Sequence, residues 1–425
     1  MKAKTLLIIF LAVLLIPVLC SCGNNRDYGL EPGREKGGRV PDGSSSWDKT
    51  GNSGNQGQIE IPAGQLTAGE WNDLANMEFW HKLMTQTANL TDEYLKRSIL
   101  TYQNLDQNTS TVLRVAVSNG DNAVFNAKVE LYSGANLIDT AFTDPNGRAY
   151  VFAGGAKSKR LVVTYGQIKA EYSVPHDLEL FSEIKIELSG AVSAAKICQL
   201  MFVVDTTGSM HDEIDYLKAE IKDVAMRILD ASPERVELQI ALLFYRDHGD
   251  SYVTKYFPFS EDMDEVMKNI SDQAAAGGGD FEEAVDIAFS EAVEKQWMKE
   301  ASKLIIHVAD APHHYKDEQG GFKTKDNERY FEAVAKMRAK GIRVVSVASS
   351  GVDKVTEFLM RQHCMLTGGT YVFLTNHSGI GNEKIIPTVG DYVVEYLNNC
   401  LVRVASRYLL GIELPVVPYY PHKQG

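Results

Sequence analysis

Four oxygen-bearing side chains stand where apolar runs give way to helical patterns. Asp205, Thr207 and Ser209 lie within Asp205-Thr206-Thr207-Gly208-Ser209-Met210, and Asp310 leads into Ala311-Pro312-His313-His314. A third junction, Gly277-Gly278-Gly279-Asp280, opens a helical pattern over 281–293. Carboxylates and hydroxyls are hard ligands, of the kind Mg²⁺, Ca²⁺ or Mn²⁺ prefer and zinc does not. A helix cap alone would account for Asp205 but not for two hydroxyls at i+2 and i+4 with a distant second aspartate. His313 and His314 are adjacent and lack the helical i, i+4 spacing of zinc pairs, so the spacing predicts rim residues. Arg246, beside Asp247, is read as a rim residue or half of an internal ion pair, and His307, mid-strand, as a core histidine.

The elements that position these groups alternate. Leu200–Val204 is an apolar run, and Ile214, Leu217, Ile221, Val224 and Ile228 then recur at helical spacing. Val236–Leu242, Leu304–Val308, Ile342–Val347 and Tyr371–Leu374 are further strands, separated by helices ending at Gly341 and Gly368. Near-continuous apolar strands between amphipathic helices predict an α/β domain, doubly wound on a mostly parallel sheet. Ligands in such folds sit outside the carboxyl ends of the strands, where all three junctions fall.

On these residues the stretch 195–405 resembles the von Willebrand factor A domain, whose metal-ion-dependent adhesion site reads Asp-x-Ser/Thr-x-Ser. Asp205, Thr207 and Ser209 fill that pattern, and Asp310 matches the family's later aspartate. Tyr245-Arg246-Asp247-His248, the triple glycine with Asp280, and Val308-Ala309-Asp310-Ala311-Pro312 resemble the branch containing the A-type domain of eukaryotic alpha-kinases; no kinase signature accompanies them. The resemblance implies Mg²⁺, with Ca²⁺ or Mn²⁺ as alternatives, and a protein partner whose exposed Glu or Asp completes the coordination. Where the family has a third hydroxyl ligand this chain has Gly279, so either Asp280 or a water takes that place.

Upstream, residues 111–191 alternate with period two and carry turns at Asp144-Pro145-Asn146-Gly147 and Gly166-Gln167, which predicts an all-β, antiparallel sandwich of about seven strands. The turn Thr143–Ala149 resembles that of bacterial Ig-like and carboxypeptidase-regulatory-like domains. Trp71, Leu74, Trp80, Leu83 and Met84, then Leu95, Ile99 and Tyr102, predict a short helical segment within 59–110, with both tryptophans docking on a neighbouring domain. Residues 406–425 are expected to be a C-terminal tail.

Residues 22–58 hold nine glycines from Gly23 on and few large apolar residues, the composition of a flexible tether. Ahead of them, Lys2 and Lys4 precede the apolar run Leu6–Leu19, a secretory signal over 1–21. Leu19-Cys20-Ser21-Cys22 resembles the bacterial lipobox, which implies lipidation of Cys22. Removing Lys2 and Lys4 takes the formal net charge from −13 to −15. That acidic balance argues against nucleic acid as a partner. Cys198, Cys364 and Cys400 remain, an odd number with no metal-type spacing; they are read as buried thiols, with a Cys198–Cys400 bridge left open.

The expectation is a non-enzymatic lipoprotein of the bacterial cell envelope, anchored to the membrane (the outer membrane is favoured), that binds a protein through a divalent ion. A metal-dependent hydrolase using His313 and His314, and a structural protein with a vestigial site, are the rivals. Lipid anchoring has its own test: a clickable fatty acid should label the chain in a bacterial host, and Cys22→Ala should abolish the label.

Overall fold

The computed structural model describes residues 62–86, 112–144, 146–153, 159–176, 183–190, 197–231, 236–316, 324–381 and 383–420. The expected signal, Cys22, the tether and the second helical run at Leu95–Tyr102 lie outside these residues. Among the described residues no helix is long and apolar enough to cross a membrane.

The first described element is a strand, β1 (Thr67–Trp71), and only then α1 (Met77–Gln86). The expected helical segment is corrected here: Trp71 belongs to a strand whose ladder partners lie some 300 residues downstream.

The sandwich follows as β2 (Val112–Asn119), β3 (Asn122–Ala123), β4 (Lys128–Ser133), β5 (Asn136–Phe142), β6 (Arg148–Phe152), β7 (Lys159–Tyr165), β8 (Ile168–Val174) and β9 (Glu183–Glu187). They form two four-stranded sheets, one of β2, β3, β6 and β9, the other in order β5-β4-β7-β8. Inward residues of both, among them Val115, Val117, Val129, Leu131, Val151, Leu161 and Ile184, make one apolar core. The expectation of antiparallel pairing fails once, because β2 and β9 run parallel. Gly147 has φ +71°, and a Cβ there would stand 2.4 Å from the Val117 carbonyl oxygen, so this turn requires glycine.

The α/β domain continues with β10 (Ile197–Asp205), α2 (Ile214–Ala231), β11 (Glu237–Tyr245), β12 (Thr254–Ser260), α3 (Met263–Ser271), α4 (Val285–Val293) and β13 (Ser302–Ala309). Then come α5 (Thr324–Ala339), β14 (Ile342–Ala348), α6 (Lys354–Thr367), β15 (Tyr371–Leu374), β16 (Glu395–Tyr396) and α7 (Leu397–Ala405). Its sheet has eight strands in the order β12-β11-β10-β13-β14-β15-β1-β16. The run from β11 to β15 is parallel, and β12, β1 and β16 pair antiparallel at the flanks. Alternate residues of the central strands feed two cores. Met201, Val203 and Ile305 meet α4, α5 and α6, whereas Leu200, Phe202 and Ile306 meet α2 and α7. Strands buried on both faces explain why their sequences are apolar without alternation.

Because β1 precedes the sandwich and pairs with β15, the sandwich is an excursion from the α/β domain, not a separate module in series. The segment 62–86 is held to that domain by buried polar contacts. Gly64, Gln65 and Leu66 donate backbone N–H bonds to Glu220, and Arg361 makes two bonds to Asp73 at 2.7 and 3.0 Å. Glu70 meets Arg403 and Arg407, and Trp80 stacks on Phe358 at 5.5 Å. The sandwich itself docks where the parallel strands begin: Arg338 bonds Asp139 and the Tyr150 carbonyl, and Arg343 bonds the Thr143 carbonyl. The stretch after α7 is not a free tail, since Tyr408 and Leu409 are buried and Tyr419 N–H bonds Val394. Cys198, Cys364 and Cys400 are buried free thiols, so the Cys198–Cys400 bridge is absent.

Asp73→Ala would leave the Arg361 guanidinium buried without its carboxylate. A cost of about 3–5 kcal/mol is expected in urea unfolding, the range for breaking one side of a buried pair. Loss below 1 kcal/mol would mean that segment 62–86 contributes little to the domain.

Candidate metal centre

The ends of β10, β11 and β13 and the loop before α4 converge on one edge. Backbone bonds stitch them together: Thr206 N–H to the Tyr245 carbonyl (2.9 Å), Ala276 N–H to Thr206 (3.0 Å), Gly208 N–H to Gly277 (3.1 Å) and Glu283 N–H to Pro312 (2.9 Å). Gly277 and Gly278 have φ +82° and +85°, and a Cβ on Gly277 would stand 2.3 Å from the Asp250 carboxylate. That carboxylate accepts the Gly278 N–H at 2.9 Å and so holds the glycine loop against the β11 end.

Within this edge Asp205, Thr207 and Asp310 are buried, and Ser209 is exposed. The N–H and hydroxyl of Thr207 both donate to Asp205 Oδ1, at 2.8 and 2.7 Å, and Thr207 Oγ1 lies 3.2 Å from Ser209 Oγ. Asp280 is exposed, with no contact to the cluster among those described. The third carboxylate is instead Glu283, 3% exposed, beside Thr207: a Cβ on Gly278 would meet Glu283 Oε1 at 3.2 Å and the Thr207 Cβ at 3.4 Å. This brings Glu283, which the sequence did not single out, to the place left open for Asp280 or a water. Residues 281–284 are not helical, and an isolated bridge to His313 turns Glu283 inward before α4 begins at Val285.

The electrostatics are those of an acid cluster without a protein cation. Burial first, then the charge of Asp310, pushes Asp205 up to about 8. Burial and the Glu213 carboxylate push Asp310 up to about 6, against the Ser209 hydroxyl. Burial together with Asp205, Asp247 and Asp310 pushes Glu283 up to about 10. Asp205 Oδ2, Asp310 Oδ1 and Glu283 Oε2 are buried with no hydrogen-bond partner. Three such orphaned oxygens beside two hydroxyls fit a hard divalent cation, which would replace the protons the cluster otherwise retains. Asp205, Thr207, Ser209, Asp310 and Glu283 are the residues that would hold it; such an ion supplies electrophilic attraction for an external carboxylate.

This placement of the Asp-x-Thr-x-Ser loop and the later aspartate agrees with comparison to known families. Residues 200–313 are a von Willebrand factor type A domain. Over 177 residues the chain is 25% identical to the alpha-protein kinase vwkA of Dictyostelium discoideum, covering 41% of this chain and 28% of that one. Over 199 residues it is 26% identical to the putative ariadne-like RING finger protein R811 of Acanthamoeba polyphaga mimivirus, covering 45% of this chain and 19% of that one. The chain thus spans less than a third of the length of either relative.

In the type A domain the rim reading fails for His313 and His314, both buried, whereas Arg246 is only half-buried. His313 is 1% exposed, stacks on Tyr330 at 4.0 Å and pairs with Asn327 at 3.0 Å; burial pushes its imidazole down to about 4. Arg246 does not pair with Asp247: it bonds the Thr206 and Ala274 carbonyls and Ser251 and covers the Tyr252 ring, which makes it a clamp between loops. Asp247 pairs with His314 instead, at 2.7 Å. His307 is a core histidine as expected, between Tyr245 and Ser346.

The metal-free domain has a testable pH dependence. All three carboxylates are raised, so their favourable contribution is complete below the ordinary carboxylate range and is lost as pH rises through about 6, 8 and 10. With EDTA the melting temperature should therefore fall across that window. Mg²⁺ at a hundredfold its dissociation constant should restore about 2.7 kcal/mol. Asp205→Ala should erase the Mg²⁺ increment yet leave the metal-free protein at least as stable at alkaline pH. A wild-type melting curve indifferent to both pH and Mg²⁺ would rule the centre out.

Proposed function

We propose that the type A domain recognises a protein partner through a divalent ion, with Mg²⁺ favoured, held by Asp205, Thr207, Ser209, Glu283 and Asp310. The observation that carries this reading is the set of three buried, unpartnered carboxylate oxygens beneath an edge where Ser209 and residues 276–280 are exposed. A cation bound there is reached from solvent on one side only. The partner group that suits it is a single exposed Glu or Asp. Because the chain is acidic, that carboxylate should stand on an otherwise neutral or basic surface, since an acidic partner would be repelled at long range.

In this reading the domain binds and does not catalyse. Of the two candidate bases for a hydrolase, His313 is committed to Tyr330 and Asn327 in the core and His314 is bonded to Asp247. The sandwich docks at the opposite end of the parallel strands and leaves the metal edge free; we assign it, as an Ig-like unit, a spacer role. Lipidation at Cys22 and a tether over 22–58 would place the assembly at a bacterial envelope membrane, a reading that rests on Leu19-Cys20-Ser21-Cys22 and the glycine-rich composition.

The test is capture from envelope or host extracts with the wild-type chain in Mg²⁺ or in EDTA, followed by purified-partner titration. Binding should vanish in EDTA and with Asp310→Ala, and Glu283→Gln should weaken it by at least about tenfold. Asp280→Asn should change it less than twofold. Equal, metal-independent binding by Asp310→Ala would falsify the reading and move recognition to the β2–β9 sandwich.

A further inference from the structure

A second cluster lies on the same edge and the first reading does not use it. The loops leaving β11 and β13 flank the end of β10 and bring together Asp247, His248 and His314. One ligand atom from each lies within 4.8 Å of the others. Asp247 and His314 are buried, their Oδ1 and Nε2 are 2.7 Å apart, and exposed His248 places its ring 5.1 Å from that of His314. The cluster is held from behind: Asp247 N–H donates to Asp250, and Glu283 N–H donates to Pro312, two residues before His314. A Cβ on Gly279 would stand 3.6 Å from Asp247 Oδ2, so the glycine loop closes over the carboxylate.

We propose that Asp247, His248 and His314 form a second metal site, for a borderline transition ion of the zinc class, beside the hard-ion centre. Two imidazoles and one carboxylate are the donor set that suits zinc and its neighbours and does not suit Mg²⁺ or Ca²⁺. The two clusters therefore sort ions by chemistry: oxygen ligands alone around Asp205, nitrogen with oxygen around His314. Three protein ligands leave a tetrahedral ion one position for water or a partner group, and exposed His248 puts that position at the surface. Without an ion the same residues form a His314–Asp247 hydrogen-bonded pair with His248 idle beside it, and that is the alternative to exclude.

The test uses the tag-free full chain in an Asp205→Asn background, so that zinc bound at the hard-ion centre does not count. Zinc is titrated against a chromophoric chelator, and Co²⁺ serves as the spectroscopic probe. One equivalent of zinc should bind, and Co²⁺ should give visible bands of a low-coordinate site. His248→Ala, a surface change that leaves the fold intact by circular dichroism, should weaken zinc binding by at least about tenfold. His248→Cys should keep binding and add an intense sulfur-to-cobalt charge-transfer band. No stoichiometric zinc in this background, or unchanged affinity in His248→Ala, would overturn the site. The adhesion reading is scored separately, by Mg²⁺-dependent partner binding in the chain with Asp205 intact, so either can fail alone.

Discussion

Like charges gathered in a dry place must be neutralised, and the edge of the parallel sheet is organised around that constraint. Asp205, Glu283 and Asp310 are each almost wholly buried; Asp310 raises the cost of ionising Asp205, and both raise that of Glu283. Neighbouring protein groups supply only partial relief. Thr207 gives two hydrogen bonds to one oxygen of Asp205, and the nearby Lys384 is taken by Glu213 at 3.1 Å. Protons or a cation must supply the remainder. A divalent ion offsets all three at once, and its own affinity becomes stability for the loops that hold it.

Holding those carboxylates in place requires a stiff frame, and the topology provides it. The central parallel strands are covered on both faces, so the loops at their carboxyl ends start from fixed points. Backbone bonds between loops, together with Arg246 spanning Thr206, Ser251 and Ala274, leave the metal edge little freedom before any ion arrives. The flank of the sheet is closed by β1 and β16, and buried pairs such as Asp73–Arg361 and Glu70–Arg403 fasten it. The β-sandwich bears on the beginnings of the strands through Arg338 and Arg343, so its contacts load the frame without crowding the site.

The parts legible in the sequence were those with local signatures. Asp205-x-Thr207-x-Ser209 carries its chemistry in a short window, and the apolar runs ending near Asp205 and Asp310 mark strands buried on both faces. Glu283 was hidden because Phe281-Glu282-Glu283 reads as the acidic first turn of a helix, whereas the chain delays that helix to Val285 to bring the side chain inward. Strand β1, Thr67–Trp71, shows no alternation and borrows its partners from β15 and β16, a pairing no window can reveal. His313 and His314 looked alike on paper. Successive residues on an extended segment point to opposite sides, and here one side is the Tyr330 core and the other the Asp247 carboxylate.

That division of neighbouring histidines bears on what kind of surface the edge is. A hydrolytic site needs a base with freedom to exchange protons near the ion, and burial holds His313 neutral inside an aromatic stack. His314 is tied to Asp247 at 2.7 Å, so its imidazole is oriented by that carboxylate. Among the described residues, the groups exposed at this edge include Ser209, the glycine loop with Asp280, Phe281 and His248. None of them is a strong nucleophile, and the loop backbone can approach a partner closely because it carries no side chains from Gly277 to Gly279. On the proposed reading, buried charge below a bare, narrow backbone suits the attraction of one external carboxylate.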